Sequence, residues 1–453
     1  MTWRDKYLNS VVCGDALALL PELPAGCVHQ CVTSPPYWGL RDYKAPAVVW
    51  GGAPGCEHVW GAGNIVKVGR NDNDRSFGTR AGAVYDGPPA ESVNAGNFCA
   101  RCGAFRGQLG LEPTPSAYVE HLVAIFREVK RVLRDDGVCW LNLGDSYASG
   151  MRSSYDDDRH KYKTARASDK RPPTPPGLKA KDLIGIPWLV AFALRADGWY
   201  LRRDVIWAKP NPMPESVTDR PTSAHEYIFL LTKKARYYYD ADAVREPQTE
   251  GSIERWRAGG QRVAGPKQNN REGKEFWETS GLLPAGRNLR SVWTFATQPY
   301  PEAHFATFPL ELPLRCIRTS PPKCCKKCGA GWERVTETTG GGPTGNQGTK
   351  SENRESEGLR TSDRMGHGSG WRENPSRVIK TLGFRPTCDC YKPGQEVTKP
   401  AVILDPFAGS GTVGEAAALL GREYILIEVN PNYKKLIEAR TAAITAPLMP
   451  EMV

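Results

Sequence analysis

The stretch from Ala401 to Arg440, AVILDPFAGSGTVGEAAALLGREYILIEVNPNYKKLIEAR, constrains the fold more than any other. It reads strand, glycine-rich turn, helix, strand, helix, the repeating unit of a parallel sheet. Gly409, Gly411 and Gly414 stand at G-x-G-x-x-G spacing after the first strand, and Glu428 ends the second. Taken alone, this spells a dinucleotide site: close backbone approach at the turn and an acid for ribose hydroxyls. Its position argues against that, because fewer than fifty residues follow Gly409, too few for a dinucleotide domain that begins there. The sheet must be completed by strands from the N-terminal part, so the chain reads as circularly permuted. Asp405, ahead of Pro406 and Phe407, is an acid at a strand's carboxyl end and can bind a cationic group. A nucleoside cofactor with an ammonium and a sulfonium, S-adenosylmethionine, suits it better than one with a pyrophosphate.

The missing strands are legible upstream. Residues 9–33 read strand, helix, strand, through NSVVCGDALALLPEL and GCVHQCVT. Within 116–144, Val119, Leu122, Val123, Phe126, Val129 and Leu133 follow helical spacing. Asp135-Asp136-Gly137 is expected to end that helix, with VCWLNLG as a buried strand after it. A further helix is expected over 182–194, and DGWYLRRDVIWAK and HEYIFLLTK read as two strands, possible neighbours. Strands alternating with helices predict an α/β fold with a mostly parallel, twisted sheet. Polar stretches at about 61–97, 148–181, 241–290 and 335–380 separate these segments, the last a linker or mobile loop by composition.

With 453 residues, 40% of them hydrophobic, the chain can bury a large core. Its formal charge of +10 suits a polyanionic partner without requiring one. The longest uncharged apolar stretch, Gly185 to Leu194, is too short to cross a bilayer, and MTWRDKYLNS carries no apolar signal core. A soluble cytoplasmic protein is the expectation, with no membrane partner.

A second feature is the way one strand is left, through Thr33-Ser34-Pro35-Pro36-Tyr37-Trp38. Two prolines remove two backbone donors in succession and fix the carbonyls around them. Pro-Pro also punctuates ordinary strand ends, so the turn has a purely structural reading as well.

Together the two features resemble the DNA amino-methyltransferases. DPFAGSGT with Glu428 resembles that family's cofactor motif, and Ser34-Pro35-Pro36-Tyr37 its catalytic motif, (Asp/Asn/Ser)-Pro-Pro-(Tyr/Phe/Trp). The catalytic motif comes first, the permuted β order of that family. Asp15 in Gly14-Asp15-Ala16-Leu17 resembles the acid placed near the cofactor adenine, and HFATFPLEL at 304–312 the segment lining the methionine pocket. The resemblance implies a Rossmann-like S-adenosylmethionine-dependent methyltransferase fold. It implies a cofactor site of Asp15, Ser34, His304, Phe305, Thr307, Phe308, Asp405, Pro406, Phe407, Ala408, Gly409, Ser410, Gly411, Thr412, Glu428 and Asn430. An exocyclic amine is a poor nucleophile, its lone pair being delocalised into the ring. Ser34 Oγ and the Pro35 carbonyl could hold the amino hydrogens while Tyr37 stacks on a base swung out of the duplex. In that family Ser at the first position goes mostly with N4 of cytosine and Asp with N6 of adenine, so cytosine is favoured and adenine stays open. A non-catalytic zinc-containing DNA-binding protein is the rival from another class, and a protein or RNA amino-methyltransferase a lesser one. Double-stranded DNA is the implied partner, with a cognate restriction endonuclease possible.

Of thirteen cysteines, Cys13, Cys27, Cys31, Cys139 and Cys316 sit singly among apolar residues and read as core. Cys56, His58, Cys99 and Cys102 form one four-ligand set, and Cys325, Cys328, Cys388 and Cys390 another, with Cys324 an alternative to Cys325. Such sets suit tetrahedral structural Zn²⁺, two ions in all, or else are reduced thiols without metal. Arg245, Arg255, Arg257, Arg262, Arg271, Arg287 and Arg290, interleaved with Trp256 and Trp277, suit DNA contacts or a solvated loop equally. They lie where the family carries its target-recognition region, and the basic stretch 159–181 is a second candidate.

The chain divides accordingly. Residues 1–55 hold the catalytic half, 56–110 a zinc-binding insertion, and 111–240 more of the methyltransferase domain, with 148–181 a mobile basic loop. Target recognition falls in 241–290, the pocket segment in 291–323, a second zinc-binding insertion in 324–395, and the cofactor half in 396–453.

Overall fold

A computed structural model describes residues 2–40, 43, 45–60, 97–148, 177–247, 251, 286–298, 308–339 and 378–444. In chain order they form α1 (Trp3–Tyr7), β1 (Ser10–Cys13), α2 (Ala16–Leu19), β2 (Val28–Thr33), β3 (Val48–Trp50), β4 (Phe105–Gly107), α3 (Pro115–Val132) and β5 (Leu133–Leu143). Next come α4 (Ile186–Ala196), β6 (Tyr200–Ala208), β7 (His225–Thr232), β8 (Val292–Thr294), α5 (Glu311–Ile317), β9 (Cys324–Cys325), β10 (Glu333–Thr339) and β11 (Val378–Arg385). The chain ends through β12 (Thr398–Lys399), β13 (Val402–Asp405), α6 (Thr412–Leu419), β14 (Glu423–Glu428) and α7 (Lys434–Ala442).

Eight strands make one sheet in the order β1-β14-β13-β2-β5-β7-β6-β8. The first five are parallel, while β7 runs antiparallel to both β5 and β6. The late strands β13 and β14 sit between the early strands β1 and β2, the permuted arrangement that the glycine turn demanded. Every residue of β2 and β13 is buried, as expected for strands covered on both faces. One face packs against α3 and α4 through residues such as Leu122, Phe126, Val190 and Leu194. The other packs against α5, α6 and α7 through Leu312, Val413, Ala416 and Ile437.

Two boundaries differ from the sequence reading. Helix α3, capped by Thr114 Oγ1 accepting from the Ala117 N–H at 3.2 Å, ends at Val132, and β5 begins at once with Leu133 paired to Val28. Asp135-Asp136-Gly137 therefore lies inside a strand, at a shift of register between Val28 and Gln30, and does not end the helix. Arg134 holds the irregularity by donating to Asp136 Oδ1 at 2.8 Å and to the Cys328 carbonyl at 2.9 Å. Helix α4 starts at Ile186, four residues later than 182, because Gly185 at φ +81° sets its entry. Among the described residues no helix is long and apolar enough to cross a membrane.

Candidate active site

Strand β13 leads to α6 on one face and β2 toward α3 on the other, so a crevice opens between their carboxyl ends. Open α/β sheets bind ligands at this kind of switch point. Both sequence motifs end here. Thr33 Oγ1, closing β2, donates to Asp405 Oδ1, closing β13, at 2.6 Å.

Asp405 is buried, and Oδ1 also accepts the Phe407 N–H at 3.0 Å, while Oδ2 is buried without a partner. Burial, helped by the charge of Glu428, raises its pKa to about 7 against the hydrogen bonds from Thr33 and Phe407. Glu428 accepts the Gly409 N–H at 2.7 Å and the Asn430 N–H at 2.9 Å, and burial raises it to about 6. Pro406 and Ala408 are buried in the turn, while Phe407 and Gly409 are half-buried. Asn430 donates from Nδ2 to the Tyr43 carbonyl at 3.2 Å. Asp15 caps α2 through Ala18 N–H at 3.2 Å, and Gly14 N–H donates to the Glu428 carbonyl at 3.0 Å, which keeps Asp15 beside that strand end.

The glycines divide differently from their spacing. A Cβ on Gly411 would lie 2.9 Å from Ile437 Cγ2, and one on Gly414 would lie 2.6 Å from Leu426, so both are needed for helix packing. Gly409, at φ +53°, is the one whose added Cβ would meet nothing closer than 3.9 Å. Gly411→Ala is expected to cost about 1–3 kcal/mol of stability by overpacking against α7, read as a lower midpoint of chemical denaturation. The Ser410 and Thr412 hydroxyls each accept from Arg440 at 3.0 Å, so what these residues offer the turn is backbone. Phe308 is half-buried against the core under α5–α7, and His304, Phe305 and Thr307 lie outside the described residues.

Across the crevice, Pro35 is buried and Ser34 half-buried. Ser34 Oγ donates to Tyr37 OH at 3.3 Å, and Tyr37 OH donates to Glu226 Oε2 at 2.7 Å. Asn142 Nδ2, at the end of β5, donates to Tyr37 OH at 2.8 Å and to Glu226 Oε2 at 2.9 Å. Lys209 pairs with the other Glu226 oxygen. Burial, then the charge of Glu226, pushes the Tyr37 phenol well above its ordinary pKa, so it stays a donor. The Tyr37 ring edge lies where a Cβ on Gly144 would be, at 2.6 Å, which makes Tyr37 a fixed part of the wall. Pro36 and Trp38 are tied down as well: Tyr118 OH donates to the Pro36 carbonyl at 2.7 Å, and Trp38 Nε1 to the Glu112 carbonyl at 2.9 Å.

Asn142, Glu226 and Lys209 were not singled out in the sequence. No motif marks them, and only the antiparallel pairing of β7 with β5 and β6 brings them together.

Both cysteine sets assemble: the four ligand atoms of Cys56, His58, Cys99 and Cys102 lie within 4.8 Å of one another, as do those of Cys325, Cys328, Cys388 and Cys390. Cys325 and not Cys324 joins the second set. Of the singled-out arginines, Arg245 pairs with Asp242, and Arg287 and Arg290 with Glu246. Arg255, Arg257, Arg262, Arg271, Trp256 and Trp277 lie outside the described residues, as do 159–176.

A permuted parallel sheet with two motif loops facing each other at its switch point defines an α/β methyltransferase. Residues 28–323 and 396–439 match the model of the N6_N4_Mtase family, described as DNA methylase, and the chain belongs to that family. The match passes over 324–395, which carries the second cysteine set. The chain is 34% identical over 420 residues to the type II methyltransferase M.Cfr9I of Citrobacter freundii, covering 93% of this chain and 83% of that one. It is 38% identical over 308 residues to M.SmaI of Serratia marcescens, covering 68% and 73%. Among solved structures, the PvuII DNA methyltransferase (cytosine-N4-specific) aligns over 98% of this chain and 89% of its own at 14% identity and TM-score 0.43. A putative DNA modification methylase from Thermus thermophilus, complexed with S-adenosyl-L-methionine, aligns over 97% and 98% at 17% identity and TM-score 0.40.

Proposed function

We propose that the chain methylates N4 of cytosine in double-stranded DNA, using S-adenosylmethionine and acting on a base swung out of the helix. The observation that carries this is the 2.6 Å bond from Thr33 to Asp405, which ties the SPPY turn to the glycine turn at one crevice. The residues fit the cofactor: Asp405 Oδ2 is a buried acceptor with no partner, the complement of an ammonium, and Glu428 retains lone pairs for ribose hydroxyls. When bound, S-adenosylmethionine supplies an electrophilic methyl group on a sulfonium.

The chain's own residues do the rest. Ser34 gives its proton to Tyr37, and Tyr37 gives its own to Glu226, so Ser34, which accepts only a long 3.4 Å bond from Asn142 Nδ2, keeps a lone pair for an amino hydrogen of the base. The Pro35 carbonyl accepts the other. Both contacts pull the amine's hydrogens aside and aim its lone pair, which is catalysis by positioning. The proton released from the methylated amine has a route along the same hydroxyls to Glu226 Oε2.

Ser34 supports cytosine over adenine, and the relatives' designation as type II methyltransferases supports a restriction–modification role on cytoplasmic DNA beside a cognate endonuclease. We read the two cysteine sets as structural Zn²⁺ sites, since each has four protein ligands and no open position. The decisive test is to incubate purified protein with plasmid DNA and S-adenosylmethionine and digest to nucleosides for mass spectrometry. N4-methylcytosine is expected; N6-methyladenine would overturn the base assignment, and no methylated nucleoside the function.

Asp405 also sets a pH dependence. With a pKa raised to about 7, its carboxyl carries a proton that a cationic ligand must displace. S-adenosylmethionine affinity is therefore expected to rise up to about tenfold per unit between about pH 5.5 and about pH 7. Without ligand, the folded state holds this proton where the unfolded chain has lost it, so stability falls as pH rises from about 4 to about 7. Calorimetric titration across that range measures the first; a flat affinity would remove Asp405 from the ammonium site.

A further inference from the structure

We propose that the zinc held by Cys56, His58, Cys99 and Cys102 positions the SPPYW turn for methyl transfer, whereas the second zinc fastens the opposite end of the sheet. This rests on reading both cysteine sets as Zn²⁺ sites, and the geometry of the two supports that reading independently of activity.

The two sets are built alike. In each, a glycine follows the second cysteine in the left-handed region, Gly103 at φ +72° and Gly329 at φ +73°. Both glycine N–H groups donate to the carbonyl of the first cysteine at 2.9 Å. Two segments over two hundred residues apart have thus converged on one loop that presents two sulfurs on the same side. In the first set, Cys56 Sγ lies 4.0 Å from Cys99 Sγ, and Cys102 Sγ 3.4 Å from His58 Nδ1. Tetrahedral Zn²⁺ with ordinary bond lengths has edges of about 3.8 Å between sulfurs and about 3.6 Å from sulfur to nitrogen. Gly52, at φ +84°, closes over this set so tightly that an added Cβ would come 2.8 Å from Cys102 Sγ.

What each set touches separates their roles. The first is the base of the β3–β4 hairpin, and Trp50 of β3 stacks on His121 of α3 with centroids 4.4 Å apart. His121 Nδ1 lies 2.9 Å from Glu112 Oε1, and the other Glu112 oxygen accepts the Gly110 N–H at 2.8 Å. Gly110 in turn accepts the Gly39 N–H at 2.8 Å, while the Glu112 carbonyl accepts Trp38 Nε1. A Cβ on Gly110 would lie 3.1 Å from the Tyr37 carbonyl oxygen, so the support reaches the turn itself. Glu112 is buried, and a buried carboxylate is costly unless its partners stay in place. The hairpin that the metal closes is what keeps His121 there.

The second set meets the sheet elsewhere. His29 Nε2 contacts the Gly329 carbonyl at 2.9 Å, and His29 Nδ1 accepts the Val402 N–H at 2.9 Å. His29 and Val402 stand at the amino ends of β2 and β13, a strand's length from Thr33 and Asp405.

Elemental analysis of protein purified without chelator is expected to give about two zinc ions per chain. Cys102→Ser should lose one ion and slow single-turnover methylation on the order of 10- to 100-fold, through misplacement of the turn. Its S-adenosylmethionine affinity should stay within about twofold, since the cofactor side of the crevice is not on this path. Cys388→Ser should lose the other ion and keep its rate, and His58→Cys, which preserves a four-ligand set, should keep both ion and rate. If Cys102→Ser does not fold, His58→Ala makes the same comparison. Protein without zinc overturns the metal reading. A first-site variant lacking its ion yet methylating at the wild-type rate overturns the positioning role, as does an equal loss of rate in Cys388→Ser.

Discussion

Ser34→Ala is expected to slow methyl transfer on the order of 100-fold or more in a single turnover, with DNA and S-adenosylmethionine both saturating. On the proposed mechanism the substitution deletes the hydroxyl that would take an amino hydrogen of the base, which here donates its own proton to Tyr37. Folding should survive, because Ser34 is half-buried and its hydrogen bonds, at 3.3 and 3.4 Å, are long. Asp405, Glu428 and Gly409 are untouched, so calorimetric affinity for S-adenosylmethionine should change little. A wild-type single-turnover rate in this variant would show that the SPPY turn is only the end of a strand.

Glu226→Gln should have an effect of similar size, about 100-fold on the rate at saturation. Glu226 is the last acceptor in the chain from Ser34 through Tyr37, and it also receives Asn142 Nδ2 and Lys209. An amide in its place can accept from Tyr37 but cannot balance Lys209 or receive a proton. The hydroxyl chain then keeps its acceptor but loses its proton sink, and Lys209 loses its counter-charge. A merely structural role would show in the denaturation midpoint or in S-adenosylmethionine affinity. The positioning role predicts instead a lower rate at saturation with the KM for DNA changed by less than about threefold. A fall in DNA affinity at constant maximal rate would move Glu226 from the reaction to the binding surface.

The two residues differ sharply in how visible they are in the sequence. Ser34 sits in a run of unusual chemistry, two prolines and two aromatics after a buried strand, and that run marks it. Glu226 sits in HEYIFLLTK, which announces a strand and nothing more; its role is created by β7 turning antiparallel and laying its first residues beside the ends of β5 and β6. The same holds for Trp50 and His121, whose stacking depends on a hairpin closed by cysteines 43 residues apart. The permuted sheet was legible because strand patterns at 9–33 stand far ahead of the glycine turn. Asp135-Asp136-Gly137 misled because a turn-forming triplet normally stops a helix, whereas here Arg134 folds it into a strand irregularity. Gly411 misled in a subtler way: the spacing called for glycine correctly, but its neighbour is Ile437 and not open space.

The placement of β13 and β14 between β1 and β2 has a consequence for how the chain comes off the ribosome. In the sheet β1 and β2 are separated by β13 and β14, so each is made hundreds of residues before the partner that stands between them. Until then β1 has no neighbour among the described strands, and β2 presents one bare edge of backbone donors and acceptors, the kind of surface that recruits wrong partners. Pairings this distant are slow to form, because a long loop must close before any contact rewards it. The β2–β5 pair with α3 and α4 can consolidate first, leaving a slot that Val402–Asp405 and Glu423–Glu428 enter late. No fragment lacking Val402–Asp405 and Glu423–Glu428 holds both sides of the crevice.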